Sequence, residues 1–184
     1  MLEKLKAGDV PIFLAPMAGV TDLPFRCLCK NFGADVLITE MISTRGLFYG
    51  DKKTRKLLTI DDMEHPIGVQ LFGNDPMCFY EAVKKIEHIP FDFININMGC
   101  PTPKIVKNND GCALMKNISL SQKIIEKTVK ATSKPVSVKI RKGWNKTSQN
   151  AVEFSKAAQE SGASLIIIHG RTRESFYSGK ADWE

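Results

Sequence analysis

Apolar residues along this chain fall into short runs that alternate with stretches of helical periodicity. Ile12–Ala15 forms a brief run after Pro11, and Val36–Thr39, Ile67–Phe72, Phe91–Asn97, Pro135–Ile140 and Leu165–His169 follow as further predicted strands. The segment Leu23–Phe32 reads as a helix, with Thr21 or Asp22 as its cap, Pro24 in the first turn and Gly33 closing it. Asp75-Pro76 opens a second helix that runs toward His88. Leu120, Ile124, Ile125 and Val129 share one helical face, and Val152, Phe154, Ala157 and Ala158 lie on another helix that ends near Gly162. The polar, charged stretch Gly46–Glu64 reads as a loop or short helix between the second and third strands.

Repeated strand–helix units imply a parallel sheet, because a parallel return needs a crossover. Two α/β architectures fit, a doubly wound sheet and a (β/α)8 TIM barrel. The first favours a glycine-rich phosphate loop after strand one, where this chain has Ala15-Pro16-Met17-Ala18-Gly19. Six units in 184 residues extrapolate to eight in about 250, the usual barrel size. The expectation is a barrel truncated after about the sixth strand, with residues 1–184 forming one incomplete domain. A complete six-stranded sheet is the alternative.

Side chains alternate along a strand, so each strand has an inward and an outward phase. Gln70 shares a phase with Gly68 and Phe72, Asn95 with Asn97, Ser137 with Lys139 and Arg141, and His169 with Leu165 and Ile167. These polar groups lie toward the carboxyl ends of their strands, the end at which barrels carry their sites. Gln70, Asn95, Asn97, Lys139 and His169 at one mouth would suit a planar, polar, anionic cofactor.

Composition narrows the chemistry. No apolar run approaches the roughly 20 residues of a membrane span, and MLEKLKAGDV lacks a signal-peptide core, so the expected location is cytoplasmic. The five cysteines follow no framework or zinc-ribbon spacing, which argues for reduced thiols and no metal. Cys27, Cys29, Cys78 and Cys112 sit among apolar neighbours and read as small buried hydrophobes. Cys100 differs. It lies just past the fourth strand between Gly99, which permits close backbone approach, and Pro101, which stiffens the exit. No protease motif accompanies it, and thiols, with a reference pKa of about 8.5, can also serve as proton donors. His65 and His88 read as surface residues. Net charge is +6, but Thr102–Lys146 alone carries +9, a segment that suits either a polyanionic partner or a solvated lysine-rich helix face.

Five stretches together, Ala15-Pro-Met-Ala-Gly-Val-Thr-Asp22, Val69-Gln-Leu-Phe-Gly73, Asn95-Ile-Asn-Met-Gly-Cys-Pro101, Val138-Lys-Ile-Arg141 and Ile168-His-Gly-Arg-Thr172, resemble the tRNA-dihydrouridine synthases. The similarity is greatest to the bacterial B-type group of these flavoprotein (β/α)8 barrels. The resemblance implies FMN as cofactor, NADPH as reductant and tRNA as partner. It implies that Pro16, Met17 and Ala18 line the isoalloxazine, that Gln70 and Lys139 hydrogen-bond it, and that His169 lies near it. It makes Cys100 the catalytic general acid, Asn97 a holder of the uracil and Arg141 a further candidate for substrate contact. Arg171 and Arg173 become candidates for phosphates. The implied reaction passes hydride from flavin N5 to uracil C6, with the proton for C5 coming from Cys100. Members of the family continue through two more β–α units and a helical C-terminal domain. The expectation for the isolated fragment is therefore inactivity and self-association through open sheet edges, and for the full-length protein a monomer. Rival readings are another FMN barrel oxidoreductase acting on a small molecule, such as a dihydroorotate dehydrogenase-like protein, and a non-catalytic RNA-binding barrel.

Overall fold

The computed structural model describes residues 10–183. In chain order its helices and strands are α1 (Leu23–Asn31), β1 (Leu37–Ile38), β2 (Ile42–Ser43), α2 (Thr44–Phe48), α3 (Lys52–Lys56), β3 (Ile67–Phe72), α4 (Pro76–Ile86), β4 (Phe93–Met98), α5 (Pro103–Lys107), α6 (Ile118–Ala131), β5 (Val136–Arg141), α7 (Ala151–Glu160) and β6 (Leu165–His169). Two 3-10 turns, Asp62–Glu64 and Gly111–Lys116, complete the set. Every strand pairing is parallel, in the order β1-β3-β4-β5-β6, with β2 also on β3. The result is a half-barrel of the TIM type, and its strand carboxyl ends all emerge on one face.

Local chemistry explains where the helices start. The Asp22 side chain accepts the Phe25 N–H at 3.1 Å to cap α1. Asp75 accepts the N–H groups of Met77 and Cys78 to cap α4, with Pro76 at the first helical position. Asn117 caps α6 through the Leu120 N–H. The predicted loop Gly46–Glu64 resolves into parts of α2, α3 and the first 3-10 turn. The first predicted strand contracts to a single bridge, Phe13 to Val36. The second is cut to Leu37–Ile38, and the chain re-enters the sheet at β2.

Two apolar regions flank the sheet. The larger packs the outward residues Val69, Leu71, Ile94, Ile96, Met98, Val136, Val138 and Ile140 beneath α4, α6 and α7. From those helices come Phe79, Ala82, Val83 and Ile86, then Ile124 and Ile125, then Phe154 and Ala158. The smaller lies inside the curved sheet, where Phe13, Val36, Ile38, Phe93 and Ile167 gather. Burial of the outer layer at roughly 25 cal/mol per Å² of apolar surface supplies most of the driving force. Cys78 and Cys112 are buried as expected, whereas Cys27 and Cys29 are only half-buried. That corrects their reading as core fillers: α1 turns part of its apolar side outward, leaving Leu28 and Phe32 exposed.

Candidate active site

Strand register stacks the inward polar residues in rows. Gln70, Asn95 and Ser137 are successive ladder partners, Asn97 pairs with Lys139 one step higher, and Arg141 pairs with His169 at the rim. Gln70 and Asn95 are essentially without exposure, so their polar atoms must be satisfied internally. They are. Gln70 Nε2 donates to Asn95 Oδ1 at 2.7 Å, and its Oε1 accepts from Asn97 Nδ2 at 3.0 Å. Asn95 Nδ2 donates to Ser137 Oγ at 2.8 Å, and Ser137 Oγ–H reaches Ile94 O at 3.1 Å. Thr39 Oγ1 accepts the Gln70 backbone N–H. Each amide's orientation is thereby fixed.

Cys100 is held from above and below. Asn97 Oδ1 accepts the N–H groups of both Gly99 and Cys100, at 3.2 and 3.0 Å. The Cys100 carbonyl accepts the Cys112 N–H at 3.0 Å. Gly111 makes that approach feasible, because its φ is +59° and a Cβ there would lie 2.8 Å from Cys100 O. Cys100 Sγ is half-buried and 3.4 Å from Thr102 Oγ1.

Lys139 points into the same interior, and its ammonium has no hydrogen-bond partner among the described residues. Burial pushes its pKa down and neighbouring Arg141 adds to the shift, while Cys100 acts in the opposite direction. His169 is lowered from 6.5 to about 4 by burial first, then by Arg141, Lys139 and Arg171. Its Nδ1 accepts the Arg171 N–H at 3.1 Å. The ring is thus neutral at physiological pH, with its proton on Nε2, a donor to whatever lies before it.

Pro16 and Met17 lead from the Phe13 bridge into a turn that begins at Ala18, at the same strand-end face. The Met17 carbonyl accepts the Val20 and Thr21 N–H groups, and Gly19 N–H donates to Glu40. Beneath this turn the buried Arg26 guanidinium pairs with Glu64 and also donates to Thr21 O and Thr59 O. The sequence does not single out Thr39 or Arg26. Apart from the Glu40 carbonyl next to Thr39, their side-chain partners lie between 5 and 38 positions away in the chain, so only the fold reveals them.

The fate of Arg141 is specific. Its guanidinium donates to Gly99 O at 3.1 Å, Thr172 O at 2.8 Å and Phe176 O at 2.8 Å. It therefore ties the Cys100 loop to the loop after β6. Arg171 is spent on Gly179 O, and Arg173 stands 4.9 Å from the Trp144 ring centroid.

Taken as a planar-cofactor site, these residues fit. An unpartnered ammonium in a low-dielectric interior calls for an anionic or electronegative group, a neutral imidazole offers one further donor, and Gln70 retains one amide hydrogen. Among the described residues no three of His, Cys, Asp and Glu stand together to hold a metal ion, and no helix is long and apolar enough to cross a membrane.

Fold and site define a TIM-type half-barrel with its chemistry at the strand carboxyl ends. Residues 13–184 match the model of the dihydrouridine synthase family, and the chain belongs to that family. It is 44% identical to a probable tRNA-dihydrouridine synthase from Rickettsia bellii over 98% of this chain and 57% of the relative. It is 38% identical to tRNA-dihydrouridine synthase B from Pseudomonas aeruginosa over 94% of this chain and 52% of the relative. The chain thus spans little more than half the length of these curated relatives. A crystal structure of nitroalkane oxidase from Streptomyces ansochromogenes aligns with 88% of this chain and 46% of its own, at 17% identity and a TM-score of 0.44.

Proposed function

We propose that this chain carries the reaction centre of a tRNA-dihydrouridine synthase, which reduces the C5–C6 bond of a uridine in tRNA with bound FMN and with NADPH as reductant. The observation that carries this reading is the Lys139 ammonium, without a hydrogen-bond partner among the described residues and beside Cys100, the thiol that Asn97 holds at the strand-end mouth. Pro16, Met17, Ala18, Gln70, Lys139 and His169 are the residues that would hold FMN. When bound and reduced by NADPH, FMN supplies the hydride that adds to uracil C6.

The chain's own residues do the rest. Addition at C6 pushes an electron pair toward C5 and the O4 carbonyl, and a proton is needed at C5. Cys100 Sγ–H supplies it, leaving a thiolate that Lys139 and Arg141 stabilise until solvent returns the proton. Asn97 contributes by position, since its Oδ1 fixes the Cys100 turn and its Nδ2 is bonded to Gln70. Arg141 fixes the same turn from the other side through Gly99 O. The target base must leave its stack to reach this mouth.

The test uses the intact protein with NADPH and unmodified tRNA. Wild type is expected to be yellow and to form dihydrouridine. Cys100→Ala should keep the yellow colour and lose about 10²–10⁴-fold in rate, the range for a positioned proton donor. Undiminished product from that variant removes the donor role, and a colourless wild type removes the flavin.

A further inference from the structure

A groove of about 800 Å³ opens on the same face as Cys100 but outside the barrel mouth. Its walls come from segments that follow successive strands: Arg45 after β2, Asn74 and Asp75 after β3, Asn109 to Asn117 after β4, and Trp144 after β5. The wall at Asn109–Asn117 is the segment anchored to the Cys100 carbonyl by the Cys112 N–H. Groove and thiol are therefore held in one rigid frame.

Its chemistry is cationic. Lys116 Nζ sits 3.3 Å from the Trp144 ring centroid, and the Arg173 guanidinium is 4.9 Å from the same ring. Arg173 Nε is buried with no hydrogen-bond partner among the described residues. Trp144 acts as a platform that holds two long cations in place. Across the groove, Arg45 Nη2 donates to Asn74 Oδ1 at 3.2 Å, and Asn74 Nδ2 donates to Asn108 O at 2.6 Å, so Arg45 is also held in place. The carboxylate in the lining, Asp75, is occupied by the N–H groups of Met77 and Cys78, and Asn117 Oδ1 by that of Leu120. The adjoining α5 adds exposed Lys104 and Lys107. Cations mounted on three different strand-end segments suit a row of phosphates better than a single anion.

We infer that the Arg45–Lys116–Trp144 groove binds the phosphate backbone of the RNA segment flanking the base presented to Cys100. This rests on the reading of the substrate as RNA. A strand that delivers one base to Cys100 has to lay its neighbouring phosphates over this rim, and the groove is where the rim is both open and cationic.

The experiment compares the intact wild type with Arg45→Ala/Lys116→Ala, using unmodified tRNA transcript across a range of salt concentrations. The double variant should bind roughly tenfold more weakly near physiological salt, and the slope of log affinity against log salt should shrink by about two, one per phosphate contact removed. Trp144→Ala should weaken binding, whereas Trp144→Phe, which keeps an aromatic platform, should weaken it less. Flavin reduction by NADPH without RNA should be unchanged. RNA affinity and salt slope equal to wild type in the double variant would overturn the inference, even where wild type forms dihydrouridine. Impaired reduction by NADPH with RNA affinity intact would overturn it too, by assigning the groove to the dinucleotide's phosphates. If the double variant loses RNA affinity and salt slope although wild type forms no dihydrouridine, the groove stands and the proposed reaction falls.

Discussion

On its outer face β4 presents Ile94, Ile96 and Met98, all without exposure and all packed against other apolar side chains. On its inner face the same strand presents Phe93, Asn95 and Asn97, two of them amides tied into a chain that runs from Gln70 to Ser137. The outer face gains stability from non-directional contact, so any well-shaped apolar side chain serves it. The inner face gains little net stability, because its hydrogen bonds mainly offset the cost of having buried the groups. What it gains is geometry: each amide can point only one way, and the last of them fixes the Cys100 turn.

The largest effect separating the two faces comes from a cavity. Ile96→Ala should cost about 2–5 kcal/mol, the range for removing a fully buried aliphatic side chain, read as a lower urea midpoint with the slope unchanged. Loss of that size without disturbance of the inner network is the expected signature of the outer face. A cost below about 1 kcal/mol would mean that the layer under α4 and α6 is not close-packed.

A smaller effect is expected on the inner face, where the partners left behind matter more than the group removed. Asn95→Ala strands Gln70 Nε2, leaves Ser137 Oγ with only its bond to Ile94 O, and should cost about 1–3 kcal/mol. Adding Gln70→Met to that variant removes the stranded Nε2 but takes the acceptor from Asn97 Nδ2, so it should recover little of the loss. A double variant as stable as wild type would break the contrast between the faces.

This difference also explains what could be read from the chain. The runs Ile67–Phe72 and Leu165–His169 match β3 and β6 residue for residue, because alternation and length are local properties. Alternation likewise places Gln70, Asn95, Asn97 and Lys139 in the inward phase. It does not show which amide bonds which, since Gln70 and Asn95 are 25 positions apart and Asn95 and Ser137 are 42 apart. Strand order decides those pairings. The Thr102–Lys146 charge misleads in the same way. Lys123, Lys127 and Lys130 lie on α6, Lys134 sits over Phe91, Lys142 pairs with Asp182, and Lys139 and Arg141 are inside. Only part of that charge reaches the strand-end face. The cationic groove also draws on Arg45, which lies outside the segment, and on Trp144, whose place among Arg141, Lys142 and Lys146 is a basic–aromatic signal that charge counting passes over.

The smallest effect is a pH dependence confined to the inner rim. His169 has a folded pKa of about 4 against a reference of 6.5, with burial as the main cause. Above pH 6.5 the ring is neutral in both folded and unfolded chains and contributes no slope. Between about 6.5 and 4 the unfolded chain takes up a proton that the folded chain refuses, so stability falls as pH falls through this window. Below 4 both states are charged and the slope ends. His169→Gln has no proton to take up, so the difference between the two stability profiles should lie in this window and vanish above it. Asp110, whose carboxyl is pushed up by burial, titrates alike in both proteins and cancels in the difference. Identical profiles for the two proteins would mean that the ring is solvated and charges freely. The described residues packed around Ile96 are apolar, so the same measurement on Ile96→Ala should shift the whole curve downward without changing its shape.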